Sequence, residues 1–128
     1  MKRFSLLMLA VLPFFANADC WIVEGLHGSI YSPRNNYKLA EDSYSGKYML
    51  AINGDSASVT YSGVDAGGII YRALSPNTII GLSSEPDKNL IQTWVIQSDG
   101  TVLMTKTADG FGAFDSAQAM IGKVSGKC

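Results

Sequence analysis

Around Asn53-Gly54 the apolar residues fall at every second position. Tyr48, Leu50 and Ile52 precede the dipeptide, Ala57 and Val59 follow it, and Ser56, Ser58 and Thr60 fill the alternate positions. Period-two alternation marks strands with one buried face, and Asn-Gly is a favoured two-residue type I′ turn. Pairing outward from that turn predicts Ile52 opposite Asp55, Leu50 opposite Ala57 and Tyr48 opposite Val59. A second hairpin is predicted in "LIQTWVIQSDGTVLMTKT". A two-residue Asp99-Gly100 turn sets Trp94 against Thr105, whereas a three-residue loop Ser98-Asp99-Gly100 with a glycine bulge sets it against Met104. The second gives the better apolar pair and is preferred. "GGIIYRAL" and "TIIGLSS", joined by Ser75-Pro76-Asn77, form a third hairpin, with proline presetting φ in the turn. "EPDKN" reads as a polar loop.

Two segments carry mixed signals. In "CWIVEGLHGSIYS" one alternation phase holds Trp21, Val23 and Tyr31, while Leu26 and Ile30 fall with Ile22 on the other. A strand covered on both sides, or one that bends at Gly25 and Gly28, has this pattern. "FDSAQAMIG" predicts one short C-terminal helix, with Asp115 capping its first turn, Gln118 reaching back three residues on, and Gly122 as the stop. "KVSGKC" then reads as a short last strand.

The chain's first eighteen residues change the setting. Lys2 and Arg3 precede an apolar run from Phe4 to Phe15, and Ala16-Asn17-Ala18 presents the small residues of a cleavage site. The expectation is a Sec-type signal peptide over residues 1–18 with cleavage after Ala18, hence a periplasmic or secreted bacterial protein with one β-rich domain over residues 19–128. No segment has the roughly 20 apolar residues of a membrane-spanning helix. Cleavage leaves Cys20 and Cys128 as the second and last residues. An oxidising compartment predicts a bridge between them, which holds the two termini side by side. The predicted fold is therefore all-β and mainly antiparallel: a small closed barrel or sandwich of about eight strands, one short C-terminal helix, and adjacent N- and C-termini.

Loss of Lys2 and Arg3 takes the basic count from 10 to 8 against 11 acidic residues, a net charge near −3. The remaining basic residues are scattered, which argues against a nucleic-acid partner. Chemistry is sparse. His27 is the one histidine; it shares a strand face with Ser29 but reads as a packed or half-exposed side chain. There is no nucleophile elbow, no zinc or EF-hand spacing, and Gly110-Phe111-Gly112 reads as a loop tucking Phe111 or Phe114 against the core. Glu24, Glu41, Asp42 and Asp65 lie in separate segments and read as solvated surface. No cofactor, metal or catalytic site is expected, and no enzymatic activity. Tyrosine with serine and glycine is a composition used by binding surfaces, which makes Tyr37 and Tyr44, in "PRNNYKLAEDSYSG", the candidate binding surface. The functional expectation is a protein-binding module, inhibitor- or immunity-like, with another protein as partner. The alternative is a carrier holding a small apolar ligand in a cavity lined by Tyr48, Leu50, Val59 and Trp94.

Overall fold

The computed structural model describes residues 18–65 and 67–128. The signal-peptide assignment lies outside the described residues except at Ala18. Among the described residues run ten strands: β1 (Asp19–Tyr31), β2 (Ala40–Ser43), β3 (Tyr48–Asn53), β4 (Ser56–Tyr61), β5 (Val64–Asp65), β6 (Ile69–Ser75), β7 (Thr78–Ser83), β8 (Asn89–Ile96), β9 (Thr101–Asp109) and β10 (Ser116–Lys127). Every pairing is antiparallel, in the order β10-β9-β8-β7-β6-β4-β3-β1, and β10 returns to β1. Eight strands thus close a barrel, which removes the exposed edges of an open sheet. β2 extends from β1 and β5 from β4. The thinnest seam is β4–β6, held by the pair Ser56↔Arg72 and by Ala73 N–H donating to Asp55 O at 3.0 Å.

Gly25 resolves the mixed pattern of β1. Its φ is +66°, and the register with β10 slips between Glu24 and His27. The bulge inserts one extra residue and reverses the phase, so Trp21, Val23 and Leu26 are all buried. Trp94, Leu26, Leu50, Ile79, Met104, Met120, Val23 and Val102 are fully buried, and each such aliphatic side chain contributes about 1.5–3 kcal/mol.

The two later hairpins pair as expected. Trp94 faces Met104 across a Ser98–Gly100 loop in which Gly100 has φ +87°, and Ser75 faces Thr78 across Pro76-Asn77. The first hairpin keeps its predicted faces but not its register. Asn53 pairs with Ser56, Ile52 with Ala57, Leu50 with Val59 and Tyr48 with Tyr61, around a Gly54-Asp55 turn. Gly54, at φ +61°, takes the first central position, so Asp55 has no positive φ to adopt. The shift of two residues also replaces the Ile52–Asp55 pair with apolar partners at every inward position.

The C-terminal helix is not formed. Gly112–Phe114 make a single 3-10 turn, and Ser116 begins a twelve-residue strand. Ser116, Gln118, Met120 and Gly122 are buried while Ala117, Ala119, Ile121 and Lys123 are exposed. The cap signal is local, whereas the alternation is satisfied by two long ladders, β9 on one side and β1 on the other. Tertiary pairing outweighs the modest helix preference of Ala and Gln. Asp115 accepts the Phe111 N–H at 2.6 Å instead of capping a helix. Cys20 and Cys128 are bonded with their Cα atoms 5.2 Å apart, and Cys128 N–H donates to Cys20 O at 3.1 Å.

Candidate functional site at the open end of the barrel

The registers stack the inward side chains in layers, and the layers differ in chemistry. Gly28, Met120, Met104, Trp94, Ile79 and Ala73 are successive cross-strand partners around one apolar layer. One step further from the disulfide the same circuit reads Ile30, Gln118, Lys106, Gln92, Gly81 and Tyr71. Two amides and an ammonium therefore sit side by side where strand alternation points inward. Above them lie Ser116, Ala108 and Leu90. The end of the barrel remote from the disulfide is polar inside; the disulfide end is apolar.

Hydrogen bonds organise this mouth. Gln92 Oε1 accepts from Trp94 Nε1–H at 3.0 Å and from Tyr71 O–H at 2.9 Å. Gln118 Nε2–H donates to Asp42 Oδ2 at 2.8 Å and to Tyr44 Oη at 3.2 Å, tying β2 and the residue that follows it to β10. Tyr44 packs edge-on against Tyr48 and Tyr61, with ring centroids 5.8 and 5.9 Å away, and Tyr48 lies 4.9 Å from Trp94. Burial pushes the Tyr71 phenol up to about 12 and raises Tyr48 and Tyr44 as well.

Lys106 is the one cation in this layer among the described residues, and it makes neither a hydrogen bond nor an ion pair there. Burial holds its ammonium below the usual lysine value, and the charge of Asp42 offsets this in part. Ser116 Oγ and Gln118 Oε1 are buried without a partner. Three small cavities include Lys106, and two of them also take in residues of the tyrosine cluster. One, about 200 Å³, lies among Tyr48, Tyr61, Tyr71 and Gln92; the other, about 210 Å³, lies among Arg34, Asp42, Tyr44, Phe114 and Ser116.

Two exposed side chains, Arg34 and Phe114, edge the second cavity. The Arg34 guanidinium lies over the Phe114 ring, 4.8 Å from its centroid, joining the turn after β1 to the turn before β10. Phe114 is 68% exposed, and Tyr37 and Leu39 are comparably open. Of the two tyrosines expected to form a binding surface, Tyr44 belongs to the mouth, half-buried in the tyrosine cluster. Tyr37 stands outside it with a left-handed φ of +57°. Neither Phe111 nor Phe114 tucks into the core: Lys88 covers Phe111, and Phe114 pairs with Arg34. His27 is exposed, and its Nδ1–H donates to Gly25 O at 2.7 Å; no hydrogen bond joins it to Ser29. Asp42, read from sequence as solvated surface, is instead the hydrogen-bonded anion of the mouth.

Sequence reasoning missed Lys106, Gln92, Gln118 and Ser116. The signal for two of them was present: Gln92 lies in the inward phase between Leu90 and Trp94, and Lys106 between Met104 and Ala108, whereas Ser116 and Gln118 lay in the segment read as a helix. No family model, no curated protein and no solved structure matches the chain.

Proposed function

We propose that this chain is an exported protein-binding module that engages its partner through the open end of the barrel. The observation that carries the reading is the rim: exposed Arg34 and Phe114 stacked at the edge of a polar cavity, with exposed Tyr37 and Leu39 a few residues along the chain from Arg34. Aromatic and arginine side chains around a desolvated pocket are the composition of interface hot spots. Two short turns linked by a cation–π contact present them with little ordering left to lose on binding.

The filled core favours this reading over the apolar carrier. Leu50 and Trp94 are fully buried and Val59 nearly so, and the space that remains near Tyr48 is small and borders a lysine and a glutamine. The test is site-specific photo-crosslinking in the producing cell. A photoreactive residue at Tyr37 or Phe114 is expected to trap a protein, while one at Ser58, exposed on the barrel wall, is not. Equal trapping at all three positions, or none, refutes a mouth-directed module.

A further inference from the structure

The mouth cavity holds unsatisfied groups of two kinds. Ser116 lines the cavity with its Oγ sealed from solvent and unpartnered, and Lys106 lines it too, its ammonium without a partner among the described residues. A partly desolvated ammonium without a partner is costly unless an acceptor arrives. Asp42 lines the same cavity. Gln118 Nε2 and the Ser43 N–H each hold one of its oxygens, which orients the carboxylate and leaves lone pairs for a further donor. Arg34 and Asp115 complete the charged lining, so it carries two positive and two negative groups. A ligand that presents only an acceptor leaves Asp42 without a donor; one that presents an acceptor and a donor meets complements for both.

From this arrangement we infer that the cavity receives a carboxylate flanked by an N–H on the neighbouring carbon: the chemistry of a polypeptide C-terminus and equally of an N-acylated amino acid. The carboxylate sits on Lys106, the N–H donates to Asp42, and the side chain rests among Ile30, Ala113 and Phe114 beside Ser116. At about 210 Å³ the cavity has room for about one residue, the rest of a longer ligand lying outside it. That the natural source is a partner's chain end rests on the protein-binding reading above.

The test uses the disulfide-bonded chain from Asp19, with N-acetyl-leucine, N-acetyl-leucinamide, 4-methylpentanoate and the tetrapeptide Ser-Ala-Gly-Leu as probes. Titration is followed by calorimetry and by amide NMR shifts at Asp42 and Ser116. N-acetyl-leucine is expected to bind, its amide at least tenfold more weakly, and 4-methylpentanoate, which lacks the N–H, several-fold more weakly. Lys106→Met is expected to erase the preference for the acid over the amide, and Lys106→Arg to keep it; melting curves of both variants confirm folding. A tetrapeptide tenfold tighter than N-acetyl-leucine identifies a chain end as the source, while equal affinity identifies a free acylated amino acid. Absence of any shift at Ser116 with millimolar acid, or equal binding of acid and amide, overturns the inference. A protein partner trapped at Phe114 that N-acetyl-leucine does not displace overturns it while leaving the protein-binding reading intact. Binding of N-acetyl-leucine with no protein trapped at the rim has the opposite meaning.

Discussion

Gln92→Leu tests the structural logic of the mouth most sharply. The substitution conserves volume on the buried face of β8 but removes the oxygen shared by Trp94 Nε1–H at 3.0 Å and Tyr71 O–H at 2.9 Å. Trp94 is 0% exposed, so its indole N–H has no route to water. Leaving such a donor unpaired costs about 1–3 kcal/mol. Tyr71 borders the small cavity and can turn to solvent, so its share is nearer the net worth of one hydrogen bond, about 0.5–1.5 kcal/mol. The expected total is about 2–4 kcal/mol, part of which is recovered by burial of the new apolar side chain. Urea unfolding at pH 7 measures it, and a cycle with Tyr71→Phe separates the two donors. In the Gln92→Leu background, removing the phenol is expected to cost less than in the parent, with a coupling of about 1 kcal/mol. A loss under about 0.5 kcal/mol for Gln92→Leu, or no coupling, refutes the view that this amide is the polar keystone between core and mouth.

Four further outcomes follow from the same structure. Replacing both Cys20 and Cys128 by serine opens a loop of sequence separation 108, for which chain entropy gives at most about 4.8 kcal/mol; calorimetry is expected to show a loss of about 2–5 kcal/mol, and no loss contradicts the covalent closure of the termini. Above pH 10 stability is expected to fall: Tyr71 titrates at about 12 when folded against 10.0 unfolded, so the unfolded chain ionises first and the contribution present below pH 10 is lost as pH rises towards 12. Lys106 has the opposite sign, because its folded value lies below 10.5: its cost is present at neutral pH and is relieved as pH rises through the folded value, so Lys106→Met is expected to stabilise at pH 7, and urea midpoints from pH 7 to 12 for Tyr71→Phe and Lys106→Met check both. Gly25→Ala places a Cβ in open space at φ +66° and is expected to cost about 1–2 kcal/mol of backbone strain, whereas at Gly28 the Cβ meets the Ala119 carbonyl and Met120 Cα, so Gly28→Ala should unfold at distinctly lower urea; equal midpoints contradict the bulge and the close β1–β10 approach.

Much of the barrel is legible in the chain because alternation and turn chemistry act over a few residues. The Trp94–Met104 register follows from a three-residue loop that ends in glycine. The joined termini follow from two cysteines placed near the ends of the segment expected to remain after cleavage. Register failed at Gly54-Asp55, where two turns of similar local quality compete and the cross-strand partners decide. The strand from Ser116 was hidden because Ala, Gln and Met suit a helix, and only the flanking β9 and β1 reveal its period of two. The mouth was hidden for a related reason. Lys106, Gln118 and Asp42 come from three segments, and nothing local brings them together; closure of the barrel does.

The most direct test of the account is native mass spectrometry of the mature protein purified from its own compartment, beside the Arg34→Ala/Phe114→Ala variant. The account predicts a protein-sized adduct on the parent that is absent from the variant, on a chain whose own mass corresponds to cleavage after Ala18 and one disulfide. A parent that flies bare, or an adduct retained by the variant, contradicts it.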